Sequence, residues 1–372
     1  MNVGITLPGS GNPGDFARHA EEVGLESVWT GDHLISVAPK LDSTLLLAQA
    51  AATTSRLRLG FGVMILALRP VAWAAKQIAT LQLLSGGRML LGVGTGGTIH
   101  GDAAWRATGL PYKDRMAQTY AALEVLPDLV AGRTAVVDGE NVTLAPGAAM
   151  PPVLIGGGLP AMRRAARHGY GWYPAFLPPA ILAEAIGEFA EQAELALQAE
   201  PAGLAEHAAP AEWVEHAGPA QHAGPARHAE LAQHVGSAEH AVLGRHAGPA
   251  RHADLAQHAG PAGRAGLARW IPAVTAQVAM ALGDLPIGLV DDHVRELTRY
   301  GMSEDYARQG LLRGGPEQAA EHLAALSAAG VERVVGLPIA GDGYRQAEFL
   351  AEAARLAGQG GASGTTRLGG PL

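Results

Sequence analysis

Cysteine is absent from all 372 residues, which excludes disulfides, thiolate metal sites and a cysteine nucleophile. Aromatic residues are scarce at 5%, against 48% apolar residues overall, so a core has to be packed from alanine, leucine and valine. Positive charge is not in excess. The formal net charge of −8 argues against a chain built to hold nucleic acid or an anionic membrane. Apolar runs stop short of membrane-spanning length, residues 62–84 being cut by Arg69, Pro70 and Lys76. The N-terminus begins with strand-like NVGITL and carries no basic flank leading into an apolar signal segment. A soluble, cytoplasmic protein is expected.

Among what is present, Pro152–Gly169 is the most informative stretch. It reads PVLIGGGLPAMRRAARHG, a short apolar run, three glycines, a proline and an arginine-bearing helical pattern. Gly156, Gly157 and Gly158 permit close approach of the backbone to a ligand, and Pro160 suits the first turn of a helix. Free N–H groups at such a helix start favour a phosphate. The same pattern also serves as an ordinary strand-to-helix turn, and the rest of the chain has to decide.

Read in order, the chain alternates short apolar runs with helical patterns. Strands are expected at 2–7, 27–30, 57–63, 89–93, 153–155, 171–173, 271–282 and 333–337. Helical patterns follow them, the last at 343–357. Asp138-Gly139 between two β-rich runs signals a hairpin, whereas 94–114 shows no period and reads as a long strand-end loop. Eight strands, each followed by helix, predict an α/β (β/α)8 barrel.

One segment breaks the pattern. Nine of the fifteen histidines lie between Pro201 and Ala268, and eight of them recur every six residues from His216 to His258. Six residues at about 100° each place successive histidines on different helix faces, and prolines interrupt the run. An expanded low-complexity insertion is the preferred reading, with weak metal binding as the alternative. The expected organisation is barrel at 1–199, insertion at 200–268 between the sixth helix and seventh strand, barrel again at 269–357, and a flexible tail at 358–372.

Active-site chemistry in a barrel belongs at the carboxyl ends of the strands. His33, after Asp32 at the end of strand two, is the main candidate acid or base there, although a histidine can equally tie down a loop. Gly92–Gly97 matches G-x-G-x-x-G but lacks the helix that a dinucleotide site requires. A glycine loop against which a cofactor lies is the better functional reading, and a tight turn the plainer one. Arg163 and Arg164 follow the triple glycine, where one of them could reach back to a phosphate. Trp172 and Tyr173 either wall an aromatic cofactor or belong to the core. No helical H-x-x-x-H offers a zinc site, and no resident metal is expected.

Several motifs together resemble the luciferase-like family of flavin- and deazaflavin-dependent oxidoreductases. They are VWTGDH at Val28–His33, LRPVAWAAKQIATLQLLSGGR at Leu68–Arg88, LLGVGTGG at Leu90–Gly97 and VLIGGGLPAMRRAARHGYGW at Val153–Trp172. The resemblance implies a barrel, commonly dimeric, with FMN or the 5-deazaflavin coenzyme F420 across the strand ends and a small organic substrate. By position, Gly156, Gly157 and Gly158 would meet the cofactor phosphate, towards which Arg163 is expected to reach back, and the Gly94–Gly97 loop with Thr95 and Gly96 would lie beside it. His33 would approach the reacting face, with Asp32 among the cofactor-binding residues. A non-proline cis peptide is implied near Gly62-Val63-Met64, supporting the ring. Many relatives carry tryptophan where this chain has Gly97, which leaves the shape of that wall open. Asp-His after strand two is similar to the deazaflavin branch, pointing to hydride transfer catalysed with His33. An FMN-dependent monooxygenase using O2 is the alternative, and a non-catalytic cofactor- or metal-binding barrel a second one.

The insertion reading makes a direct prediction: deleting 201–268 leaves the thermal unfolding transition and cofactor binding intact, as followed by circular dichroism and cofactor fluorescence. Loss of either refutes it.

Overall fold

The computed structural model describes residues 1–9, 11–36, 39–97, 101–198, 273–299 and 301–363. Apart from residues 197 and 198, the described residues belong to one compact unit formed by 1–196 with 271–372. The histidine-repeat insertion therefore lies outside the described residues, as does most of the expected tail.

This unit opens with β1 (Asn2–Thr6), α1 (Pro13–Glu22), β2 (Ser27–Thr30), α2 (Ser43–Thr53), β3 (Arg58–Ile65), α3 (Val71–Ser85) and β4 (Met89–Gly94). After α4 (Ala103–Thr108) and α5 (Arg115–Val130), an antiparallel hairpin of β5 (Ala135–Val137) and β6 (Glu140–Val142) turns at Asp138-Gly139 as expected. Then come β7 (Val153–Gly156), α6 (Leu159–Arg167), β8 (Gly171–Tyr173), α7 (Pro179–Gln198), β9 (Thr275–Leu282), β10 (Leu312–Gly314) and β11 (Arg333–Pro338). Local chemistry sets many of these boundaries. Asn12 caps α1 by accepting from Gly14 N at 2.9 Å, with Pro13 at its first position. Gly86, at φ 64°, terminates α3 in the left-handed conformation.

The strands form one parallel sheet in the order β10-β9-β11-β1-β2-β3-β4-β7-β8. Parallel bridges Trp172–Val274 and Ala175–Gln277 join β8 to β9. At that seam Gln277 N donates to Pro174 O at 2.8 Å, and Phe176 N donates to Gln277 O at 2.8 Å. Eight strands thus close a (β/α)8 barrel, with β10 added beside the carboxyl half of β9. Closure pairs β8 with β9, the barrel edges that an open sheet would leave exposed.

Side chains alternate across the barrel wall. Val274, Ala276, Val278, Met280 and Leu282 of the β9 region join the core between sheet and helices. Inside, Trp29, Leu90, Leu154, Tyr173 and Val335, each from a different strand, fill the barrel, with Val63 packed against them. The amino-terminal face is tied by polar contacts. Arg333 donates to both Glu26 oxygens at 2.8 Å, and Arg88 donates to the Ala51 and Thr54 carbonyls at the end of α2, at 2.9 Å each.

Three expectations need correction. The 94–114 stretch is not a plain loop: it holds α4 and a turn of 3-10 helix at Tyr112–Asp114. AAWRAT is too short to display a period, and α4 is secured by burial of Ala104 and Trp105 against Ile65 and Leu68. Strand β10 was unforeseen because three residues carry no pattern. The final helix runs over Gly343–Ser363 rather than ending at 357, since extending a helix from a packed segment is far easier than starting one.

Candidate active site

A cavity of about 350 Å³ opens at the carboxyl ends of the barrel strands. Asp32, His33, Leu34 and Ile35 after β2 line one side, and Gly62, Val63 and Ile65 of β3 the next. The glycine turns after β4 and β7 form a third wall, while Tyr173, Ala175 and Gln277 line the region of the β8–β9 seam. Trp105 of α4 closes the edge beyond Gly96.

Asp32 is buried, and its carboxylate is fully engaged. It accepts from Ser43 Oγ at 2.9 Å and from the Ile65 N–H at 3.0 Å. Arg69 Nη2 donates to Oδ1 at 2.9 Å, and Nη1 lies 2.8 Å from Oδ2 as an ionic contact. One carboxylate thereby ties the loop after β2 to the start of α2, the end of β3 and the segment leading into α3. That loop carries His33. Lys40 comes to the same corner: a Cβ on Gly31 would lie 3.3 Å from Lys40 Nζ and 3.6 Å from His33 Nε2. Although Lys40 as a residue is exposed, desolvation of its amine lowers its pKa, opposed by the Asp32 carboxylate.

The Gly62–Val63 peptide is cis, within the stretch where the family resemblance implies one. The Val63 side chain turns toward β4 and β7. A Cβ on Gly94 would fall 2.3 Å from Val63 Cγ2, and one on Gly156 would fall 2.7 Å from Val63 Cγ1. At both positions a side chain would therefore collide with Val63. Space is open at Gly97 and Gly158, where a Cβ would meet nothing within 4 Å. Beyond the β4 turn, Arg115 Nε donates to Gly96 O at 3.3 Å, and its guanidinium lies 3.9 Å from the Tyr112 ring centroid.

Tyr173 is 3% exposed and packs its ring 5.4 Å from that of Trp29. Burial pushes its phenol pKa well up, so it stays protonated and donates to Gln277 Oε1 at 3.3 Å.

Of the residues singled out in the sequence, Asp32, His33, Gly62, Val63, Gly94, Thr95, Gly96, Gly156 and Gly157 converge on this cavity. Three do not. Met64 is fully buried and packs into the core between sheet and helices, as alternation along β3 requires once Val63 faces inward. Gly158 is the residue before the first turn of α6 and does not line the cavity. Arg163 does not reach back toward the glycines: it is half exposed and its Nε donates to Glu188 Oε1 at 2.6 Å. Helical direction explains this, because position 163 faces α7. Arg69, Trp105 and Gln277 were not read as site residues. For Gln277 a signal existed, a lone amide in the apolar strand TAQVAMAL. For Arg69 none did, since its partner lies 37 residues away.

The family model for luciferase-like monooxygenases matches residues 10–204. An F420-dependent glucose-6-phosphate dehydrogenase of Kineococcus radiotolerans is 33% identical over 174 residues, covering 44% of this chain and 51% of that protein. The chain thus spans about half the length of the curated relatives it matches. An F420-dependent secondary alcohol dehydrogenase, solved with an F420–acetone adduct, superposes with TM-score 0.65 at 15% identity, over 96% of this chain and 99% of that one. The oxygenating constituent of 3,6-diketocamphane monooxygenase of Pseudomonas putida, solved with FMN, gives TM-score 0.61 at 16% identity, over 96% and 98%. At these identities the two structures speak for the fold alone.

The Asp32 knot predicts the outcome of Arg69→Met. Leaving a buried carboxylate without its cation costs about 3–5 kcal/mol of stability, and adding Asp32→Asn recovers part of it. Denaturant unfolding of both variants measures this; a single-variant loss below about 1 kcal/mol contradicts the knot.

Proposed function

The chain belongs to the luciferase-like monooxygenase family, and on that premise we propose that it is an oxidoreductase. It binds coenzyme F420 or FMN at the strand ends and moves hydride to or from a small organic substrate. The observation that carries this reading is the convergence of His33, the Gly62–Val63 turn and both glycine loops on one cavity of about 350 Å³.

The residues present fit such a cofactor. Open space at Gly97 and Gly158 leaves the backbone accessible where the β4 and β7 turns end, and Gly157 borders the cavity beside the start of α6. The Gly157 N–H is held by Tyr173 O at 3.2 Å, and the N–H groups of Gly158 and Leu159 at the start of α6 suit a phosphate. Val63, Ile65 and Trp105 supply apolar surface for a flat ring. When bound, a deazaflavin supplies hydride exchange, whereas a reduced flavin also supplies oxygen activation.

The chain's own groups orient and move protons. Asp32, fixed by Arg69 and Ser43, holds the loop that presents His33. An imidazole nitrogen of His33 takes the hydroxyl proton as the substrate carbon gives up hydride, and returns it in the reverse direction. The Asp32-His33 pair supports hydride transfer with F420 over the FMN monooxygenase alternative.

Two further parts belong to the proposal. Trp73 is 67% exposed on α3, and Leu84 lies eleven residues on along the same face. Leu45 of the neighbouring α2 is 70% exposed. Such an apolar surface suits a second copy of the chain, so the assembly is a homodimer. Among the described residues no helix is long and apolar enough to cross a membrane, and a cytoplasmic location is part of the same reading.

Reconstitution with F420 and with FMN, followed by fluorescence, tests the function. Binding of F420 is expected. His33→Ala should cut turnover of F420 with alcohol or aldehyde panels by about 10²–10⁴-fold while leaving cofactor affinity within a few fold. Failure of both cofactors to bind sinks the enzyme reading, and oxygen uptake by the reduced FMN form would favour the monooxygenase. For the assembly, sedimentation should show a dimer that Trp73→Glu dissociates; a monomeric wild type would refute it.

A further inference from the structure

Gln277 is a polar residue of β9 that lines the cavity. Along β9 the even-numbered side chains pack outward into the sheet–helix core, so alternation turns Gln277 into the barrel, where it lines the cavity. Thr275, one inward position below, accepts from Arg333 Nη1 at 3.4 Å. Gln277 is the remaining polar side chain of the strand. Its backbone is locked at the barrel seam, N–H to Pro174 O and C=O from Phe176 N–H, so the side chain starts from a rigid base.

The Tyr173 hydroxyl is the partner of the Gln277 amide on the cavity floor. Tyr173 is packed under the cavity beside Trp29, and a Cβ on Gly62 would lie only 2.4 Å from its Oη. The hydroxyl therefore bridges the floor from the β3 turn to Gln277. Because it donates to Gln277 Oε1, Nε2 is the end of the amide that a ligand can meet, and Nε2 is a donor.

The surroundings define what that donor recognises. Around the closed barrel β9, which carries Gln277, is separated from β2, which leads to His33, by β11 and β1, so amide and imidazole mark different sides of the cavity. Val63, Ile65, Leu68 and Trp105 make much of the surface between them apolar. The Asp32 charge is already matched by Arg69. A ligand spanning this space needs a flat or compact apolar body and an acceptor oxygen at the Gln277 side.

We propose that Gln277, oriented by Tyr173, is a specificity-determining residue whose amide N–H binds a neutral carbonyl-type oxygen of the ligand seated in the cavity. This rests on the oxidoreductase reading. That oxygen belongs either to the cofactor's ring or to the substrate, and the two sources give different readouts.

The test compares Gln277→Leu, Gln277→Glu and Tyr173→Phe in the full-length protein. Dissociation constants for F420 and FMN are measured by fluorescence, and that of cyclohexanone on the cofactor-loaded protein by saturation-transfer NMR. Loss of the donor should weaken one of these ligands about tenfold. A weaker cofactor identifies a ring oxygen, whereas weaker cyclohexanone with unchanged cofactor identifies a substrate oxygen. Gln277→Glu keeps the shape and the Tyr173 contact but replaces donor by acceptor, so it should lose as much as Gln277→Leu with an unchanged melting temperature. Tyr173→Phe should lose less. Unchanged affinities in Gln277→Leu, or full affinity in Gln277→Glu, overturn the inference while leaving the oxidoreductase reading standing. A wild type that binds neither cofactor overturns both.

Discussion

The side chain of Val63 is the steric constraint around which the cavity is built. It leaves the Gly62–Val63 turn of β3 and occupies the space next to Gly94 and Gly156, so three adjacent strands come together at their carboxyl ends only if two of them lack a Cβ there. The wall so formed is smooth and apolar, and the backbone of both glycine turns stays close to the cavity. Val63 also packs against the inner core of Trp29, Leu90, Leu154, Tyr173 and Val335. Interior packing at this density transmits displacement rather than absorbing it. The position of the wall is thus coupled to the filling of the barrel beneath it.

A second constraint is electrostatic. Burying the Asp32 carboxylate is costly unless its oxygens are matched, and Arg69, Ser43 and the Ile65 N–H do so from three separate segments. The pair contributes little as a net energy term once desolvation is counted. Its effect is geometric, because the carboxylate can be satisfied only when the loop bearing His33 is correctly seated against β3. The cavity therefore has a fixed side at His33 and another at the Tyr173–Gln277 pair, whose backbone belongs to the barrel seam. The described residues close that seam although the chain runs from 198 to 273 between α7 and the approach to β9.

Much of this was legible beforehand. Strand–helix alternation, the Asp138-Gly139 hairpin and the strand-end position of His33 all follow from periodicity and turn chemistry over a few residues. The short α4 and β10 were not, since three to six residues cannot establish a period. Arg163 was misplaced because its proximity to the glycines in sequence said nothing about which face of α6 it occupies. The glycines themselves were recognised as necessary, but their reason differed at each one: Gly94 and Gly156 make room for a protein side chain, while Gly97 and Gly158 border open space.

By itself the sequence determined the barrel, the order of its elements and the loops that reach the cavity, because each depends on local patterns of apolar and turn-forming residues. Only the tertiary structure decided how those loops are used. Arg69 meets Asp32, Val63 meets Gly156 and Tyr173 meets Gln277 across 37, 93 and 104 positions of chain. Contacts at such separations arise when a closed ring of strands sets which inward side chains face one another, and no window of sequence carries that information.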